Sequence, residues 1–139
     1  MPVFNSLAKA VAKPIPRVVT PRIHSVIDYV SAGVFLGSAA WFWGRNKRAA
    51  TAALISGGAE LALVLLTDYA GGGKKSISFR THRELDYGLA AMVATMPEAL
   101  DFKDDDEKNF FRLQGALITL LGEVTQSGTP IRRSRSRAA

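Results

Sequence analysis

The chain reads as all-α, a four-helix transmembrane bundle built from two tandem helical-hairpin repeats. Three observations predict this. Charges are confined to the chain ends and a few short blocks, two apolar runs are long enough to cross a bilayer, and the polar pattern of the first half returns in the second. That segregation of charge is what a hydrocarbon phase demands of a helix.

A basic arm, residues 1–22, comes first. It carries Lys9, Lys13, Arg17 and Arg22 without an acid, and Pro14, Pro16 and Pro21 forbid a continuous helix. Phe4, Leu7, Ala8 and Val11 share one face of a short helix, so the arm is expected on a membrane surface. An Arg-bearing, acid-free start also resembles an organelle transit peptide, which makes an organelle membrane the alternative compartment.

The membrane domain spans 23–127, with repeat 1 at about 23–69 and repeat 2 at about 82–127. Its first segment, Ile23 to Trp43, has no charge from Tyr29 to Gly44, and its titratable members are His24 and Asp28. At about 1.5 Å per residue it covers roughly 30 Å of hydrocarbon. Ser38 and Ala40 imitate a signal-cleavage site, but the 22-residue leader and the polar pair inside the segment argue against a cleaved signal. Arg45, Lys47 and Arg48 close this segment, and Ala49 to Leu66 forms the second, with Glu60 as its one charge. So short a connection makes the two helices antiparallel neighbours.

A polar, glycine-rich and basic loop, Ala70 to Thr81, follows. Its Gly71-Gly72-Gly73-Lys74-Lys75-Ser76 run is not a Walker motif, because Asp68 stands where Gly is needed and Lys75 where Ser or Thr is needed. The third segment, about His82 to Leu100, and the fourth, about Phe110 to Gln126, are shorter and contain Glu98 and Glu123. Between them Asp101, Asp104, Asp105, Asp106 and Glu107 lack the spacing of a calcium-binding EF-hand and are expected to be a solvated connector. Residues 128–139 form a basic C-terminal tail.

Composition excludes several chemistries. With no cysteine there is no disulfide, thiolate metal site or Cys nucleophile. A net charge of +6 and a pI near 10.0 suit a polyanion, but the basic residues flank apolar segments without an aromatic RNA-binding motif. Anionic lipid headgroups are therefore the expected partner, and nucleic acid is not. No nucleophile elbow, Ser-His-Asp order or dinucleotide glycine motif is present. A mean hydropathy of +0.08 leaves a soluble four-helix bundle as a further alternative.

Self-similarity carries the organisation. His24-Ser-Val-Ile-Asp28-Tyr29 returns as His82-Arg-Glu-Leu-Asp86-Tyr87, and the stretch from Ala53 to Glu60-Leu61 returns as that from Ala116 to Glu123-Val124. The offsets are 58 and 63, which puts an extra five residues in the second hairpin's loop and makes Glu123 the equivalent of Glu60. Repeats of two crossings share one orientation and are related by an axis along the membrane normal. Lys and Arg number four before the first segment, four from Lys74 to Arg83 and four after the last, against three in each other loop when Arg112 is counted with the second of them. By the positive-inside tendency both termini lie on the cytoplasmic side, in a bacterial inner membrane. Gly33 and Gly37, Ser56 to Gly58, and Gly115 with Thr119 mark small-residue faces for close helix packing. Trp41, Phe42 and Trp43 at one rim and Tyr29, Tyr69 and Tyr87 toward the other read as interfacial aromatics.

His-x-x-x-Asp-Tyr opening an apolar helix, twice in a four-helix membrane protein, resembles the SPW-repeat group of small bacterial membrane proteins over roughly Ile23 to Thr129. In place of Ser-Pro-Trp the chain has Ser38-Ala39-Ala40-Trp41 and Thr95-Met96-Pro97-Glu98. The resemblance implies fold and compartment and brings no activity with it.

His24 and Asp28 lie one helical turn apart on a common face, as do His82 and Asp86. With antiparallel hairpins Glu60 falls about a turn deeper than Asp28, so two His, two Asp and two Glu are candidates for one axial site. His24 and His82 are the candidate cofactor ligands, and His24, Asp28, Glu60, His82, Asp86 and Glu123 the candidate metal ligands. Di-metal bundles use Glu-x-x-His, so the spacing is not a specific metal signature. The favoured expectation is structural: each His pairs with a carboxylate near a helix start, the two act separately, and no cofactor of its own is bound. Glu98 and Arg112 are read as residues snorkelling from helix ends. The favoured function is a structural or accessory subunit of a larger membrane complex or homo-oligomer; the alternative is a membrane enzyme or metal carrier using the duplicated His/Asp/Glu set.

Overall fold

The computed structural model describes residues 15–127. The amphipathic face expected of Phe4 to Val11 and the basic tail of 128–139 lie outside the described residues. Among the described residues four helices appear where the apolar runs place them: α1 (Pro21–Phe42), α2 (Lys47–Leu66), α3 (Phe79–Ala99) and α4 (Lys108–Val124). Each of the first three begins at a side-chain cap. The Thr20 hydroxyl accepts from the Ile23 N–H with Pro21 just behind it, Asn46 Oδ1 accepts from Ala49, and Ser78 Oγ accepts from Thr81.

α1 packs along α2, and α3 along α4, as two antiparallel hairpins, with α2 and α3 also in contact. Both hairpins close on a glycine. A Cβ at Gly57 would stand 2.9 Å from Phe35 Cβ, and one at Gly115 would stand 2.9 Å from the Ala90 carbonyl oxygen and from Ala94 Cβ. By contrast the Gly33/Gly37 pair meets nothing and faces outward, so this GxxxG does not make the helix contact within the chain.

Matching contacts in the two hairpins recur at one spacing of 58 residues. Two-residue strands β1 (Thr67–Asp68) and β2 (Ile77–Ser78) pair in parallel with Thr67 opposite Ile77, and Val19 pairs with Thr125 in the same sense. Gly57 and Gly115 obey the same spacing. So do the buried positions Ala53, Glu60, Val64 and Thr67 against Phe111, Ile118, Gly122 and Thr125. This corrects the offset of 63: the counterpart of Glu60 is Ile118, and Glu123 is an outward residue. Burial, which a short sequence match ignores, sets the register.

The bundle has two unlike ends. At one, Phe35, Phe42, Phe102, Phe110 and Phe111 meet with ring centroids 5.2–6.4 Å apart. Below them the acidic connector is held in place: Arg48 Nη1 donates to the Asp101 carbonyl at 2.7 Å and pairs with its carboxylate at 3.0 Å, and Asn46 Nδ2 donates to Asp105 and Glu107. The connector is thus a clamp on the α1–α2 turn, with Phe102 buried inside it. Glu98 and Arg112 pair at 3.1 Å, each about half exposed. The other end gathers the starts of α1 and α3, the ends of α2 and α4, and the His/Asp pairs.

Candidate functional site

A histidine one turn inside a helix projects toward the preceding turn, where the end of an antiparallel neighbour lies. Here it finds the end of a helix from the other hairpin in one direction and two carboxylates in the other. His24 Nδ1 lies 2.7 Å from Thr125 Oγ1, and His82 Nδ1 lies 2.8 Å from Thr67 Oγ1. Each threonine closes its helix by donating back to the carbonyl four residues earlier, Thr125 to Leu121 at 2.5 Å and Thr67 to Leu63 at 2.6 Å. A hydroxyl has one hydrogen, so each Thr oxygen accepts and each His Nδ1–H donates. That fixes the tautomer: the Nε2 atoms face the carboxylates.

Those Nε2 atoms share both aspartates. His24 Nε2 lies 3.3 Å from Asp28 Oδ2 and 3.1 Å from Asp86 Oδ2; His82 Nε2 lies 3.0 Å from Asp28 Oδ2 and 3.2 Å from Asp86 Oδ2. All four residues are at most 5% exposed. The two His/Asp pairs, expected as separate sites, stand together in one cluster: each histidine lies within 3.3 Å of its own helix's aspartate and of the other hairpin's. The rings meet edge to face with centroids 5.4 Å apart, an arrangement with no room for a macrocycle between them. Of the cofactors that His24 and His82 are candidates to hold, a haem bound between the two rings therefore does not fit.

Glu60 is buried a turn deeper, as expected, and accepts from Ser31 Oγ at 3.1 Å. Glu123 stays outside the cluster and accepts from Tyr87 at 2.7 Å. Tyr69 donates to Asp28 Oδ2 at 2.9 Å, so it is a site residue rather than only a rim aromatic. Burial and the neighbouring Asp28 carboxylate push its phenol well above the usual range. Asp68 turns away and organises the glycine loop. Desolvation raises its carboxyl, but the backbone N–H groups of Gly73, Gly71, Gly72 and Lys74 together outweigh this and hold it below the usual range. Gly71 and Gly73 adopt φ of 76° and 71°, which glycine tolerates without strain.

Comparison with protein-family models, curated proteins and solved structures gave no match. Geometry alone must speak.

Phe79 covers the cluster on the outer side, stacked on His82 at 6.0 Å and edge-on to His24 at 5.4 Å. Tyr69 and Phe79 also line an open cavity of about 1080 Å³ at this end, whose walls include Lys75, Arg80, Arg83 and Glu84. Thr67, Thr125 and Phe79 were not singled out by sequence reasoning. One signal was available: Thr67 and Thr125 each stand 43 residues after a histidine of the repeated motif.

Proposed function

We propose that this chain is an integral membrane protein with a structural or accessory role, in which the His/Asp cluster latches two hairpins and the outer surface meets lipid or partner helices. One observation carries the reading: ionisable groups turn inward, beside the apolar core, while large apolar side chains cover the outside. The interior holds His24, Asp28, Glu60, His82 and Asp86, while Val26, Val30, Leu54, Leu65, Leu113 and Leu117 face outward, each more than 45% exposed. A soluble bundle exposes its polar face and buries its apolar one; in a bilayer ionisable groups turn inward to find partners. α1 and α2 are each long and apolar enough to cross a membrane. At about 1.5 Å per residue the 21 residues of α3 span roughly 31 Å and the 17 of α4 roughly 26 Å, so the second hairpin crosses with its shorter helix matched by local thinning of the bilayer or by snorkelling of its flanking residues.

On this reading the two hairpins are tandem copies, in keeping with the likeness to SPW-repeat proteins. Both termini and the 70–81 loop face the cytoplasm, where their basic residues meet anionic headgroups. The outward Gly33 and Gly37 offer a flat strip on which a second helix can seat. Alkaline carbonate extraction tests insertion. Retention in the membrane pellet is expected, and release into the supernatant would count against it. Single cysteines at Ser76 and Asp105 test topology, because an impermeant thiol reagent should reach them from opposite sides of sealed vesicles. Labelling of both from one side would overturn the four-crossing arrangement.

A further inference from the structure

We propose that His24, Asp28, His82 and Asp86 form a binding site for one divalent transition-metal ion of zinc-like preference, closed and four-coordinate, which clamps the two hairpins together. The inference stands on the cluster alone and does not require the bundle to lie in a bilayer.

Four features carry it. First, two imidazole nitrogens and two carboxylate oxygens alternate at N···O separations of 3.0–3.3 Å. Ligand atoms about 2.0–2.1 Å from a tetrahedral zinc stand roughly 3.3 Å apart, so each N···O edge already has the length that an ion at the centre requires. The ligating atoms of His24, His82 and Asp86 lie within 4.8 Å of one another; Asp28 falls outside that set, and its carboxylate has to turn inward to complete the four. Second, His82 Nε2 is buried without a hydrogen-bond partner, although carboxylate oxygens stand at 3.0 and 3.2 Å. Those oxygens are off the line of a ring N–H, which leaves the nitrogen's in-plane lone pair available to a cation. Third, each ligating His has its other nitrogen donating to a threonine oxygen, the outer-shell arrangement that fixes the tautomer and leaves an Nε2 lone pair for metal. Fourth, charge balances. Two buried carboxylates need two positive charges, which two imidazolium protons or one divalent cation can supply, and exchange of one for the other leaves the interior's net charge unchanged.

Ligand chemistry selects the ion. Magnesium and calcium prefer six or more oxygens, whereas an N2O2 set suits zinc and its first-row neighbours. Because all four protein positions are filled, no open site remains for a substrate, and the ion acts as a structural clamp between hairpins. An access route exists, since Tyr69 and Phe79 separate the cluster from the open cavity above it.

The test uses the full chain purified in detergent, stripped with chelator and then dialysed against Zn2+ or, as a spectroscopic probe, Co2+. One ion per chain is expected, together with a rise in the unfolding midpoint on loading and intense visible Co2+ bands typical of four-coordinate nitrogen and oxygen ligation. His24 and His82 are the chain's only histidines and there is no cysteine, so nitrogen ligation of Co2+ can come from no other side-chain imidazole or thiolate. His82→Gln and Asp86→Asn should abolish both the stoichiometric ion and the bands, with helical content checked by circular dichroism. Should those variants fail to fold, Thr67→Val and Thr125→Val keep all four ligands and are expected to weaken Zn2+ binding by about 10–100-fold. A wild-type chain that takes up no Zn2+ or Co2+, or ligand and threonine variants that bind as tightly as wild type, would overturn the proposal and leave the two imidazolium protons as the cluster's counter-charge.

Discussion

The first hairpin, α1 with α2, and the second, α3 with α4, keep the same polar latch but fill the space beyond it differently. His24, Asp28, Gly57 and Thr67 have His82, Asp86, Gly115 and Thr125 as counterparts 58 residues on. Phe35 and Ala53 of the first hairpin answer Val93 and Phe111 of the second, with large and small exchanged. A turn below the latch the first hairpin sets half-buried Ser31 and buried Glu60 where the second buries Leu89 and Ile118. Tyr69, which reaches Asp28, corresponds to Ser127. The polar positions that bridge the hairpins are therefore matched, because they serve the other hairpin's histidine, while positions packed inside one hairpin, the two helix-contact glycines apart, are free to differ as long as volume and hydrogen bonding are met.

The largest expected effect tests the matched part. His24→Ala or His82→Ala leaves a desolvated carboxylate short of a partner, and each should cost about 3–5 kcal/mol of stability, the range for breaking a buried ion pair. Because both histidines share both aspartates, the double variant should depart from additivity by well over about 0.5 kcal/mol in reversible denaturation in detergent. Additive losses would break the picture of a single cluster.

Next in size are the two packing glycines. Gly115→Ala pushes a methyl into the Ala90 carbonyl and Ala94, neither of which is a flexible side-chain end, and about 1–3 kcal/mol of overpacking strain is expected. Gly33→Ala and Gly37→Ala meet open space and should be neutral, or stabilise by up to about 1 kcal/mol through helix propensity. Equal losses at Gly33 and Gly115 would mean that the outward strip is packed against something in the assayed particle.

Smaller still are the hydroxyls. Thr67→Val and Thr125→Val each remove the acceptor for one His Nδ1–H, and side-chain hydrogen bonds in membrane proteins average about 0.6 kcal/mol with a maximum near 1.7. The two losses should be similar, given the near-identical geometry at 2.8 and 2.7 Å. Tyr69→Phe removes the one unmatched bond to the latch and should cost about as much, whereas Ser127→Ala should leave the cluster's stability unchanged. Thermal unfolding of the four variants side by side gives the ranking, and a larger loss at Ser127 than at Tyr69 would reverse the assigned asymmetry.

Helix number, helix limits and hairpin pairing were legible in the chain itself. Apolar runs bounded by Arg45 to Arg48, by the glycine loop and by the acidic block leave few other ways to satisfy backbone groups. The His-x-x-x-Asp spacing likewise determined that each pair shares a helix face. What only the tertiary structure decided is which partners those faces meet. Periodicity orients a side chain about its own axis but says nothing of the distance between α1 and α3, so it could not show that Asp86 reaches His24 across the bundle as readily as its own His82. For the same reason local likeness set Glu123 against Glu60, whereas burial set Ile118 there. A helix turns by 100° per residue, and a five-residue difference in register moves a side chain from the axis to the outer surface.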